Sequence, residues 1–178
     1  MQSRSLAVVS FGTALAVSVA LPAAAQEHCK ISWEVPAANA TYTQQHVIDV
    51  GDVPGHQVRI FEIHRTYPDD KPNCEGLKRV ESWNRGYSDY VDRNGRAFAY
   101  QVTVLENGDK IFAEVSTTSQ TVVGADGSKK STAASVVKYT GGTGKYQGVR
   151  GLVRESALFD PEKNMNQSQD EGEYWFEK

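Results

Sequence analysis

Residues 77–118 read LKRVESWNRGYSDYVDRNGRAFAYQVTVLENGDKIFAEVSTT and contain the clearest fold signal in the chain. Asn94-Gly95 and Asn107-Gly108 are both dipeptides that favour the tight turn of a β-hairpin. The segments around them are rich in Val, Tyr, Phe and Thr, and they show no helical periodicity, which is typical of strands. Strand, Asn-Gly turn and strand therefore occur twice in succession, and this pattern predicts an antiparallel meander.

The same pattern continues outward from this stretch. A strand is predicted at residues 56–65, before a turn-rich loop, and further strands are predicted at residues 120–123, 131–139, 148–159 and 172–176. The polar segment 160–171 reads as a loop. About eight strand candidates in total, with no long run of helical period, predict an all-β protein. Closing such a meander into an eight-stranded antiparallel β-barrel would remove its exposed edges.

The N-terminus has the composition of a secretory signal peptide. Arg4 supplies a positive charge, residues 6–21 form an apolar run, and Pro22-Ala23-Ala24-Ala25 supplies small residues for cleavage. The run is shorter than the ~20 residues of a membrane-spanning helix, so we expect no stable membrane insertion. We predict cleavage after Ala25, a single domain at residues 26–178, and a periplasmic or secreted location.

Both cysteines, Cys29 and Cys74, lie in the predicted exported part. Two cysteines in an oxidising compartment predict a disulfide, and two buried free thiols remain the alternative. The chain has 22 acidic residues against 19 Lys and Arg, without a clustered basic segment. This charge balance argues against a nucleic-acid partner, which would require a basic surface.

The most specific motif is Tyr139-Thr140-Gly141-Gly142-Thr143-Gly144-Lys145-Tyr146-Gln147-Gly148-Val149-Arg150-Gly151. A phosphate-binding loop is one interpretation of its glycines, but the Lys-Ser/Thr step is absent and a strand follows instead of a helix. The motif resembles a glycine-rich stretch that joins two late strands in the allene oxide cyclase and dirigent barrel superfamily. The resemblance implies an eight-stranded calycin-like barrel with a largely apolar central cavity, often assembled as a trimer. It does not extend to any catalytic residue.

Side chains of a barrel strand alternate between the lumen and the outside, and either face of residues 56–65 could be the inner one. On residues 77–90, one face contains the large aromatic and charged groups that a ligand pocket could use. This face includes Trp83 and Tyr87. We predict that the aromatic residues which bind a small apolar molecule are Trp83, Tyr87, Tyr100 and Phe112.

Two further functions remain open beside binding. By resemblance, the barrel could be a cyclase or isomerase, and Glu62 or Glu81 would then be the general acid or base, with a pKa raised by desolvation. A strand glutamate is more often a solvated residue paired with Lys or Arg, which is the alternative for both. We expect no metal or organic cofactor, since the histidines lack ligand spacing. A structural role in the cell envelope is the third possibility.

Overall fold

The computed structural model describes residues 27–177, so the predicted signal peptide at residues 1–25 lies outside the described residues. The described chain forms nine strands joined by tight turns and three short 3-10 turns. The strands are β1 (Cys29–Val35), β2 (Ala40–Asp49), β3 (His56–Thr66), β4 (Arg79–Val91), β5 (Asn94–Leu105), β6 (Lys110–Val123), β7 (Lys129–Gly142), β8 (Val149–Asp160) and β9 (Met165–Phe176). Within this range, no helix has the length and apolar composition needed to cross a membrane.

All nine strands belong to one antiparallel sheet in the order β1-β9-β8-β7-β6-β5-β4-β3-β2. The all-β prediction is therefore confirmed. The strand count is nine instead of about eight, and the hydrogen-bonded ladder is open, because β1 and β2 are edge strands that do not pair with each other. Residues 110–118 and 120–123, which were expected to be two strands, form the single strand β6.

The N-terminal strands and most of β9 are the elements that sequence patterning misses. Residues 160–171 were expected to be a loop, yet β9 begins at Met165 and pairs with β8 along its length. The first half of β9 is polar on both faces. Its inner face carries the buried polar residues Asn166, Ser168 and Asp170, and the residues between them are polar as well. Without an apolar inner face, the strand lacks the alternation that sequence analysis looks for.

Both predicted Asn-Gly hairpins exist, but one turn is displaced along the chain. Asn94 pairs with Val91 as the first residue of β5, and the two turn residues are Asp92 and Arg93, both with positive φ. The Asn94 side chain donates hydrogen bonds to the carbonyl oxygens of Val91 and Asp92. A two-residue turn with positive φ at both positions is the type I′ geometry that matches strand twist.

The sheet curls so that its two ends approach each other. The Asn164 side chain, just before β9, accepts a hydrogen bond of 2.7 Å from the Tyr42 backbone N–H on β2. Further inside, Arg65 of β3 contacts residues of both β8 and β9. The inner face contains the principal core, whose buried residues include Ala99, Leu105, Ile111, Ala113, Val115, Val137, Tyr139, Val149, Val153 and Tyr174.

Gly86 on the inner face of β4 lies in the tightest part of the sheet. A Cβ atom at this position would be 2.1 Å from the carbonyl oxygen of Phe98 and 2.6 Å from the Ala99 Cβ. No side chain fits this space, so glycine allows β4 and β5 to approach closely where the sheet bends.

The glycine-rich motif forms the turn between β7 and β8. Gly141 and Gly142 end β7, and Gly144 begins a 3-10 turn that places Tyr146 fully inside the core. Gly144 has a φ of +52°, a conformation that favours glycine, and its Cα lies beside the Asp109 carboxylate. The motif is therefore a structural turn in this chain.

Candidate functional site

A cavity of about 660 Å³ opens at one end of the curled sheet, between β1, the loop of residues 67–78 and the inner faces of β3 to β9. Small-molecule sites usually occupy roughly 300–1,000 Å³, so this volume is sufficient for an organic ligand. Part of the wall is aliphatic and comes from Ile31, Leu105, Ile111, Val137 and Val153. The rest of the wall is polar or aromatic.

A buried ion pair forms the deep end of the cavity. Arg65 donates a hydrogen bond of 2.8 Å from Nη1 to Glu155 Oε2, and one of 3.0 Å from Nη2 to Asn166 Oδ1. Ser135 donates to the other oxygen of Glu155 at 3.2 Å. Because both charged side chains are under 10% exposed, each depends on the other for compensation of its charge.

Asp170 lies beside this ion pair and lines the cavity. It stands directly opposite Glu155 in the β8–β9 ladder, and its Oδ2 accepts a hydrogen bond of 3.1 Å from Ser168. Burial, followed by repulsion from the Glu155 carboxylate, raises the pKa of Asp170 to about 7, although Arg65 opposes the shift. A carboxyl group with a pKa near neutrality can act as a hydrogen-bond donor or as an acid–base group.

Three polar side chains of the cavity wall are not committed to other protein groups. Gln101, Thr103 and Tyr139 line the cavity, and none of their side chains has a hydrogen bond to another residue of the described chain. Burial raises the pKa of Tyr139, and the nearby Asp170 adds to that shift. The phenol therefore stays protonated and keeps its O–H donor.

Arg79 closes the outer part of the cavity. Its guanidinium lies between two aromatic rings, with Cζ 3.7 Å from the Trp33 ring centroid and 4.0 Å from the Tyr67 ring centroid. Asp70 accepts two hydrogen bonds from the same guanidinium, at 2.6 and 2.9 Å. Stacking and a bidentate ion pair together hold Arg79 in one orientation.

The rim of the cavity is fixed by the disulfide between Cys29 and Cys74, which confirms the predicted pairing. This bond joins the start of β1 to the loop of residues 67–78. The hydroxyl groups of Tyr146 and Tyr174 both donate to Glu75 in the same loop. The loop is thereby attached to β1, to the β7–β8 turn and to β9.

A second chamber of about 70 Å³ lies on the other side of the Arg65–Glu155 pair. Arg65 Nε and Asn84 Oδ1 are buried without a hydrogen-bond partner among the described residues, and both residues line this chamber. A donor and an acceptor in a polar space of this size can be bridged by water, since one water molecule needs about 30 Å³. The second chamber is too small for an organic ligand.

Both glutamates predicted to be catalytic lie on the outer face of the sheet, away from the cavity. Glu62 accepts hydrogen bonds from Thr43 at 2.7 Å and from Arg85 at 2.6 Å, and these lower its pKa, with the Thr43 bond the larger cause. Glu81 pairs with His64 at 2.8 Å, which likewise lowers its pKa. Glu62 and Glu81 were expected to point into the lumen with a raised pKa, and the structure corrects both expectations. The inner face of β3 is the one that carries Ile63 and Arg65, so Glu62 points outward.

The four aromatic residues predicted to bind ligand are also on the outer face and do not line the cavity. Tyr87 is 53% exposed and Tyr100 is 62% exposed. Trp83 stacks on His64 with ring centroids 4.0 Å apart, and Phe112 pairs with Val102 in the ladder. Their expected position in a central cavity is thus corrected, and a role at the outer surface stays a prediction.

The cavity residues Trp33, Arg65, Tyr139 and Asp170 are not predicted from the sequence as site residues. A usable signal was present on β4, where Ser82, Asn84, Gly86 and Ser88 form one face and the large residues form the other. Small residues fit the inside of a tightly curled sheet, and large ones do not. Arg65 of β3 lies directly opposite Ser82 in the ladder, so the small-residue face of β4 also indicates that Arg65 points inward.

No protein-family model, no curated protein and no solved structure matches this chain. The function is therefore inferred from the cavity's shape and chemistry.

Proposed function

We propose that this protein is exported and that it binds a small, mainly apolar molecule in the cavity at the end of the sheet. The observation that supports this most directly is the cavity of about 660 Å³, in which a group of aliphatic side chains lies beside polar and aromatic ones. This combination is the usual form of a small-molecule site. Export is supported by the N-terminal charge, apolar run and Ala-rich cleavage pattern, and by the Cys29–Cys74 disulfide.

Kinship with the allene oxide cyclase and dirigent barrels is part of the same proposal. The glycine-rich motif joins two late strands, as the resemblance expects, and the sheet ends lie close together near Tyr42 and Asn164. These features support a barrel-like enclosure around the ligand. The trimer that the resemblance implies is tested by light scattering of the purified protein.

The binding proposal is tested with two probes of one ring size, the naphthyl ketone dye prodan and a propylnaphthalene. Val137 lines the cavity, whereas its neighbour Val136 points outward and is 49% exposed. Val137→Trp should fill the cavity and lower the affinity for both probes by at least about tenfold, which corresponds to about 1.4 kcal/mol of binding free energy. Val136→Trp adds the same bulk outside and should leave both affinities unchanged.

Circular dichroism checks that each variant is folded, and Val137→Phe replaces Val137→Trp if the larger side chain prevents folding. Failure of the wild-type protein to bind either probe would contradict the proposal. If Val136→Trp lost binding and Val137→Trp still bound both probes, the binding site would lie on the outer face of the sheet.

A cofactor-free cyclase or isomerase is the second candidate, favoured by one observation. Asp170 lines the cavity with a pKa raised to about 7, close to the value that suits a general acid or base at neutral pH. Tyr139 lines the same cavity. In this function, Asp170 would protonate an oxygen of the bound molecule, and its carboxylate would later take a proton back.

Proton exchange distinguishes the enzyme from the carrier. Prodan bound in D₂O should exchange the hydrogens next to its carbonyl if an acid–base group acts on it, and mass spectrometry reports the exchange. Asp170→Asn should then slow exchange by roughly 10²–10⁴-fold. Binding without exchange above the rate in buffer would leave the carrier function alone.

A further inference from the structure

Apart from Asp170, the buried charged groups at the cavity are already paired, whereas the other charged residues of its lining, Lys30, Glu34, Asp69 and Lys71, are exposed. Arg65 lies 2.8 Å from Glu155, and Arg79 lies 2.6 Å from Asp70. All four side chains are largely buried. A ligand with a net charge would have to disturb one of these pairs or remain unpaired itself, and both alternatives are costly in a buried site. The paired charges therefore favour a neutral ligand.

Each of the uncommitted polar groups has at least one hydrogen-bond donor. Tyr139 has an O–H that no described residue accepts, and burial raises its pKa and so keeps the proton in place. Thr103 adds a hydroxyl, and Gln101 adds an amide, both without side-chain partners in the described chain. A buried donor without an acceptor costs free energy, which a ligand oxygen can offset.

Asp170 adds a fourth donor when it is protonated. The charged and titratable groups around it are Glu155 on β8, Arg65 on β3, Arg79 on β4, Tyr139 on β7 and Tyr67 in the loop after β3. Burial and Glu155 favour the protonated carboxyl, and the two arginines oppose it. Ser168 already donates to Oδ2, so the other oxygen is available to the cavity.

We propose that the ligand is a neutral, mainly apolar molecule with a hydrogen-bond-accepting oxygen, such as a ketone, and that this oxygen lies against Tyr139 and Asp170. This inference depends on the proposed binding function and specifies the ligand class. The aliphatic wall formed by residues such as Leu105, Val137 and Val153 contacts the apolar body. The polar groups fix which end of the molecule enters first.

The two probes separate this inference from the binding function itself. Prodan has a ketone and propylnaphthalene has no acceptor oxygen, so the wild-type protein should bind prodan at least roughly tenfold more tightly. Prodan emission should also move to longer wavelength than in a dry apolar solvent, since its carbonyl accepts hydrogen bonds. Equal affinity for both probes would overturn the inference and leave binding intact, whereas binding of neither would remove the proposed function.

Tyr139→Phe removes one donor without changing the shape of the wall. This substitution should lower the affinity for prodan by roughly three- to tenfold and leave the affinity for propylnaphthalene unchanged. Tyr90→Phe is the matched control, because Tyr90 lines the second chamber and not the cavity. If Tyr139→Phe lowered the affinity for both probes equally, the cause would be altered packing, and the proposed hydrogen bond from Tyr139 to the ligand would be contradicted.

The pH dependence identifies the contribution of Asp170. Its protonated form donates, so prodan affinity should fall by up to roughly tenfold as the pH rises through about 7, while propylnaphthalene affinity stays constant. Asp170→Asn keeps an N–H donor at every pH and should abolish this dependence. Tighter binding of a naphthylmethylamine than of prodan, increasing with pH, would overturn the inference in favour of a cationic ligand.

Discussion

Asp170 and Glu155 face each other on neighbouring strands, and both side chains are buried. Burial and the Glu155 carboxylate raise the pKa of Asp170 from 3.8 to about 7. Between these two values, the folded protein holds a proton that the unfolded chain has lost. The free energy of unfolding therefore falls as the pH rises through this window, which is the reverse of the usual behaviour of a salt-bridged aspartate.

Asp170→Asn should remove this part of the pH dependence. Between about pH 5 and about pH 8, the free energy of unfolding of the wild type should fall on the order of 2 kcal/mol more than that of the variant, because only the wild type has to ionise residue 170 inside the fold. Urea unfolding at several pH values measures the difference. Asp126→Asn, in an exposed turn, should follow the wild-type profile. Parallel curves for the wild type and Asp170→Asn would show that the pKa is not raised.

The sequence does not reveal at this scale which residues face inward. On β3, one face carries His56, Glu62 and His64, and the other carries Arg59 and Arg65, so both mix charged and apolar residues. The inner face buries Arg65 because Glu155 and Asn166 compensate it from strands that are about 90 to 101 residues away in the chain. Because the partners of Arg65 are so far away in the sequence, the residues next to Arg65 give no sign that its charge is buried.

Among the strands, the pairs β3–β4 through β7–β8 are the part that the sequence predicts well. Their turns contain glycine or asparagine at fixed positions, and their composition is typical of strands. β1, β2 and the first half of β9 are not predicted. β2 is largely exposed at the sheet edge, and β9 has a polar inner face, so neither shows a clear apolar alternation.

Gly86→Ala tests the close approach of β4 and β5. The new Cβ would meet the Phe98 carbonyl oxygen and Ala99, so the strands would have to separate, at a cost of roughly 2–4 kcal/mol. Gly108→Ala is the comparison, because nothing lies within 4 Å of a Cβ there and only its positive φ penalises alanine, by about 1 kcal/mol. Chemical denaturation of both variants gives the ranking. A smaller loss for Gly86→Ala than for Gly108→Ala would contradict the contact.

Replacing Cys29 and Cys74 with serine tests the attachment of the rim. The bond closes a loop with a sequence separation of 45, and in the chain-entropy model its removal costs about 4 kcal/mol. The cavity should also lose prodan affinity, since β1 and the loop of residues 67–78 both line it. Thermal melts with and without a reductant measure the stability. An unchanged wild-type melt under full reduction would show that the bond contributes nothing.

At the scale of the whole molecule, the proposed export predicts where the mature chain begins. The charge, the apolar run and the small residues coincide before Gln26, so signal peptidase should cleave after Ala25. N-terminal sequencing of protein recovered from the periplasm or medium checks this. Protein from either location that retains Met1 would contradict cleavage.

The order of the strands also has a consequence for folding kinetics. Among the described strands, β1 is the first and pairs only with β9, the last of them, and His28 contacts Glu173 at 2.9 Å across 145 residues of sequence. Such high contact order slows folding, because loop-closure entropy is lost before the contact forms. During synthesis, β3 to β8 can form hairpins one after another, whereas β1 can pair only once β9 has been made. The wall that β1 contributes to the cavity is therefore assembled only after the hairpins of β3 to β8 have had the chance to form.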